Sequence, residues 1–311
     1  MMSVFARKML CSLMVALLSV AFGCESGEES VTVDFGRTLS HIGSTTESDA
    51  DRKAIRVAVG AMVSPLRTIE YYQRLLEYLG TKLGKRLEMV QKKTYAEINE
   101  MLIGGEVEVA FICSGPYAIH GMKAGFKLLA APQVKGRSQY QAYLIVHKDA
   151  PYTRIEDLEG KTFAFTDPDS NTGRMVPTFW LAELNKRPKD FFGKVVYTHA
   201  HDNSIMAVAK GLVDGASVDG LIWDYHHTED PAFTSRTKVI KRSRPFGIPP
   251  VVGSAKLSVE DAEAIRKFLI SMHEDPEGEK ILARLHIDRF VPAKEEWYQS
   301  VRDIYASGQA D

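Results

Sequence analysis

Between residues 55 and 117, short runs of β-branched residues alternate with segments of helical period, and this alternation limits the possible folds more than any other feature. Ile55, Val57 and Val59 open a strand that stops at Gly60. Over 67–83, Ile69, Tyr72, Leu75, Leu76 and Leu79 recur at the spacing of one helix face. A strand over 87–90, a helix over 95–103 stopped by Gly104-Gly105, and a strand over 107–113 follow. The last runs through Ser114-Gly115-Pro116 into another helix. This βαβαβα order needs crossover connections, which predict an α/β fold with a parallel, doubly wound sheet.

A second set follows. Strands are predicted at 143–146, 161–165, 195–197, 215–218, 239–240 and 251–252, with helices over 175–184 and 204–210. From 258 the tail is helical. The expected organisation is two lobes, residues 53–139 with 254–311 and residues 140–253. They are joined by a two-strand hinge near 140–147 and 245–254. A length of 311 residues suits two such lobes. In open α/β sheets ligands sit beyond the carboxyl ends of the strands, which singles out the loops at 62–67, 114–117, 166–173 and 199–203.

The N-terminus reads as an address. Arg7 and Lys8 precede an apolar run over 9–22, too short to span a bilayer and suited to a signal peptide over 1–23. The run ends Ala21-Phe22-Gly23-Cys24, which is similar to a bacterial lipobox with Cys24 as the acylated residue. Residues 24–52 carry acidic and hydroxyl residues without apolar period, the composition of a tether that holds a folded body off a membrane. Cys113 is then left without a partner. A formal net charge of -1 argues against nucleic acid as a partner.

The loop Thr166-Asp167-Pro168-Asp169-Ser170-Asn171-Thr172-Gly173 has the most specific chemistry. It follows a strand and precedes a helix. Ser170 and Thr172 offer hydroxyls, Asn171 an amide, and Gly173 a close backbone approach. Free N–H groups at a helix start favour an anion such as phosphate. The same residues are favoured N-caps, and one geometry serves both roles. Ser64-Pro65 and Ser114-Gly115-Pro116-Tyr117 repeat the arrangement in the first lobe. His199 and His201 share a face if their segment is extended, and with His226 and His227 leave a metal site open. Asp219 ends a strand and points toward the cleft by the topological rule. No GxSxG elbow or paired acid and base stands at recognisable spacing, so the chain reads as a binder and not an enzyme.

Several stretches together resemble the phosphate, phosphite and phosphonate-binding components of bacterial ABC importers. They are Val57 to Gly60 with Ser64-Pro65, Gly115-Pro116-Tyr117, Phe165 to Gly173 with Pro177, His201 to Ile205 with Gly211 and Asp214, and Asp275-Pro276-Glu277-Gly278. Family loops read Ser-Thr-Ser-Gly where this chain has Ser170-Asn171-Thr172-Gly173, so an amide replaces one hydroxyl. The resemblance implies a two-lobed type II periplasmic-binding-protein fold, each lobe a mostly parallel sheet flanked by helices. It implies a monomer that closes on a small phosphorus oxyanion and is served by an ABC permease and ATPase. It is expected on the periplasmic or extracellular face of a bacterial membrane, lipid-anchored and without a cofactor or metal. Ser170, Asn171, Thr172 and Gly173 become the anion nest; Tyr117, Ser64 and His201 further donors; Asp219 a carboxylate facing the ligand. That carboxylate selects a ligand whose oxygen is protonated or which carries an amine. A metal-binding or chemosensory solute receptor of the same fold is the alternative.

Overall fold

The computed structural model describes residues 54–308, so the signal segment, Cys24 and the tether lie outside the described residues. The first sheet runs in the order Arg289–Val291, Lys127–Gln133, Val251–Gly253, Val109–Phe111, Ile55–Val59, Leu87–Gln91. Its last three strands are parallel, as crossover helices require. The second sheet runs Thr237–Arg242, Ala142–His147, Gly215–Asp219, Thr162–Phe165, Lys194–Tyr197, again with its last three strands parallel.

The sheets are mixed rather than mostly parallel. Val251–Gly253 pairs antiparallel with both neighbours, and so does Ala142–His147 with its own. Both strands come directly off the interlobe crossings and enter their sheets from the opposite end. For the same reason the boundary expected at 253/254 lies earlier. Val251–Gly253 belongs to the first sheet, and the crossing is the small antiparallel pair Gln139–Tyr140 with Phe246–Gly247. The helix Gln299–Gly308 packs on Val176–Ala182 of the second lobe as well as on Tyr117–Gly121 of the first. Its Val301 and Ile304 are buried in one cluster with Trp180 and Leu181. No helix among the described residues is long and apolar enough to cross a membrane.

Several hydrogen bonds tie the lobes together, three of them at the strand ends. His201 N–H donates to the Met62 carbonyl at 3.0 Å, Tyr95 N–H to the Asp167 carboxylate at 3.1 Å, and Ser64 N–H to the Asp202 carboxylate at 3.0 Å. The clamp is shut, and the strand ends of both lobes meet at one buried polar cluster.

Candidate functional site

The strand Thr162–Phe165 delivers Thr166 and Asp167 into that cluster, and the chain then turns through Ser170 into a wide π-helical turn, Asn171–Met175. Ser170 caps this turn, its hydroxyl accepting from Gly173 N–H at 3.0 Å. A side chain on Gly173 would strike Thr166 Cβ at 2.5 Å, which is why the turn needs glycine. Ser170, Asn171 and Thr172 are fully buried. The Asn171 amide donates to the Tyr140 hydroxyl at 3.1 Å, and that hydroxyl also meets the Ser114 hydroxyl. Asn171 and Gly115 turn their N–H groups toward the Cys113 sulfur, whose thiol burial pushes up.

Three buried atoms of this cluster lack a hydrogen-bond partner: the Tyr95 hydroxyl, Asn171 Oδ1 and Thr172 Oγ1. Each such orphan costs roughly 1–3 kcal/mol unless a ligand or water completes the bonding. The second lobe adds His201, 1% exposed. Asp219 N–H donates to His201 Nδ1 at 3.1 Å, which puts the ring proton on Nε2. Burial pulls this imidazole down to about 3, so it is a neutral donor. Asp219 caps the helix Gly220–Glu229, its Oδ1 accepting from Leu221 N–H at 2.8 Å and Ile222 N–H at 3.4 Å. Burial raises its carboxyl to about 7 despite those two donors. Burial raises the phenols of Tyr72, Tyr95 and Tyr140, and the Asp219 carboxylate adds to each shift. No lysine or arginine is among the buried side chains of the described residues.

Ser170 to Gly173, His201 and Asp219 therefore lie in one buried polar cluster. Tyr117 does not join them: its ring stacks edge-on against Tyr298 at 4.6 Å and its hydroxyl donates to the Glu295 carboxylate. Ser64 stands apart as well, lining a separate pocket of about 190 Å³ with Arg67 and Asp202. Nor do His199 and His201 share a face. His199 has a left-handed backbone (φ 61°) and His201 begins the helix His201–Ala209, so no extended segment aligns the imidazoles. Sequence reading missed Tyr95 and Tyr140. Tyr95 sits at the first turn of a helix behind the Thr94 capping box, a local signal that fixes the helix start but not where the ring points. Tyr140 lies on the crossing.

Tyr140→Phe leaves the Ser114 hydroxyl and the Asn171 amide without their shared partner. The expected loss of roughly 1–3 kcal/mol lowers the melting temperature of the ligand-free protein by about 3–8 °C in scanning calorimetry. An unchanged melting temperature would remove Tyr140 from the framework of the site.

Two lobes closing on buried, uncharged donors define a solute-binding protein for a small anion. The family described as "ABC transporter, phosphonate, periplasmic substrate-binding protein" matches residues 57–298, and the chain belongs to it. That is a family of periplasmic binding components, not of enzymes. The chain is 25% identical over 257 residues to the phosphonates-binding periplasmic protein of Escherichia coli, covering 80% of this chain and 75% of that one. Its fold is similar to a binding component of a Pseudomonas aeruginosa ABC phosphonate transporter (TM-score 0.78, 22% identity, 83% and 87% of the two chains). It is also similar to PhnD1 of Prochlorococcus marinus in complex with methylphosphonate (TM-score 0.72, 15% identity, 82% and 97%).

Proposed function

We propose that the chain captures a small phosphorus oxyanion (phosphonate, phosphite or phosphate) between its lobes and hands it to an ABC permease driven by its ATPase. Cys24 anchors it as a lipoprotein, and residues 24–52 tether the monomeric body on the outer side of the membrane. Ser170, Asn171, Thr172 and Gly173 form the anion nest, with Tyr95, Tyr140 and His201 around it and Asp219 facing a protonated ligand oxygen. One observation supports the reading: the Tyr95 and Thr172 hydroxyls are buried without a partner and His201 is buried and neutral, Tyr95 bonds to Asp167 and His201 to Thr166 of one loop, and no lysine or arginine is buried among the described residues. Neutral donors around an oxyanion suffice when water is excluded, because each bond to a charged group contributes about 1.5–3 kcal/mol.

Titration calorimetry of the full chain in detergent, with phosphate, phosphite, methylphosphonate and 2-aminoethylphosphonate, tests this. At least one should bind, and Thr172→Val should weaken it by roughly 10- to 100-fold, the equivalent of one charge-assisted hydrogen bond. Absence of binding for all four would overturn the proposal.

A further inference from the structure

Next to the nest, Asp219 also lines a second feature that anion capture does not require. A cavity of about 160 Å³ lies between the lobes, walled by Leu221 and Ile222 of the second lobe and by Val63, Ile112, Ile248 and Ile287 of the first. Tyr71 and Tyr225 meet edge to face at 5.3 Å, one from each lobe, and Tyr72 meets Phe111 at 5.0 Å. Apart from Asp219, the three tyrosines and His226, the lining is apolar. Phosphate and phosphite have no group to place there.

We propose that this cavity takes an apolar substituent on phosphorus, so that the preferred ligands are alkyl- or arylphosphonates of about four to six carbons. The inference rests on the anion-nest reading above. Continuity is given by Asp219, which lines the cavity and whose backbone N–H donates to His201 Nδ1 of the polar cluster at 3.1 Å. Size agrees: an apolar cavity on the order of 150 Å³ accommodates a benzene ring. Polarity agrees too. The one carboxylate in the lining already accepts two helix N–H groups, and burial biases it toward its neutral form, which suits a carbon chain better than an ammonium.

The test compares methyl-, n-propyl-, n-butyl- and phenylphosphonate by calorimetry on the full chain in detergent. 2-Aminoethylphosphonate serves as the polar match of the propyl compound. Affinity should rise about fourfold per added methylene up to butyl. The propyl compound should bind at least about tenfold more tightly than its amino counterpart. Ile287→Trp, which fills the cavity from the first-lobe side, should bring the butyl-to-methyl affinity ratio close to one. A flat or falling series, tighter binding of the amino compound, or an unchanged ratio in Ile287→Trp would each overturn the pocket while methylphosphonate still binds. Failure of methylphosphonate and phosphate alike would overturn the nest reading together with it.

Discussion

Substituting Gly115→Ala should hold the clamp open. A Cβ at this position would lie 2.4 Å from the Asp169 carbonyl oxygen, 3.0 Å from Asn171 N and 3.2 Å from Met175 Cε. The first of these is a backbone atom across the interlobe contact, so no rotamer change relieves it. Gly115 is on the first lobe and Asp169 on the second, and the cheapest relief is separation of the lobes rather than unfolding of either. Separation draws Tyr95 away from Asp167 and His201 from Met62, and it breaks the convergence of donors from the two sides. Losing two bonds to a charged ligand, at about 1.5–3 kcal/mol each, predicts at least about a 100-fold loss of methylphosphonate affinity. The melting temperature of the free protein should fall by several degrees as well, because Met175 belongs to a buried apolar cluster that both lobes share. Small-angle scattering of the free variant should show a larger radius of gyration than the parent. Methylphosphonate affinity within threefold of the parent's would mean that closure does not depend on this contact.

The same interlobe geometry explains what was legible in the sequence. The alternation over 55–117 and the strand-end rule placed the Ser170 to Gly173 loop, His201 and Asp219, because each depends on local order: a strand, its end, and the helix that follows. Tyr117 obeyed the same local rule and still faces away. Its hydroxyl is claimed by Glu295, 178 residues downstream, a partner no spacing argument supplies. Tyr95 and Tyr140 were hidden for the converse reason. The turn that carries Tyr95 is fixed across the cleft by Asp167, 72 residues away, and Tyr140 sits on a crossing whose short pairing with Phe246 follows from the return of the chain. The positive φ of His199 undid the paired-imidazole geometry, and no spacing rule fixes which residue of a loop takes that conformation. Periodicity therefore located the loops, while the direction of each aromatic side chain was set by contacts between the lobes.

Asp219→Asn should stabilise the ligand-free protein, and increasingly so as pH rises. An aspartate titrates near 3.9 in an unfolded chain, whereas burial raises Asp219 to about 7 in the folded protein. Between these values the folded state binds more protons than the unfolded state, so the parent loses stability as pH climbs from about 4 to about 7 and bears the whole penalty above that. The asparagine oxygen still accepts from the helix N–H groups of Leu221 and Ile222, so the cap survives and only the titration is removed. A displacement of about three pH units corresponds to at most about 4 kcal/mol. The variant's advantage in melting temperature should then grow by roughly 5–10 °C between pH 4.5 and pH 8. Ligand binding adds a second, independent readout. An oxyanion beside Asp219 requires one proton between them, whichever oxygen carries it, so above pH 7 the parent must take up a proton to bind. The asparagine amide supplies an N–H at any pH. The ligand's own titration is common to both proteins, and the ratio of parent to variant affinity for methylphosphonate should therefore fall about tenfold per pH unit above 7. A ratio and a melting-temperature difference that both stay level across this range would show that Asp219 is ionised in the folded protein, with no proton shared between it and the ligand.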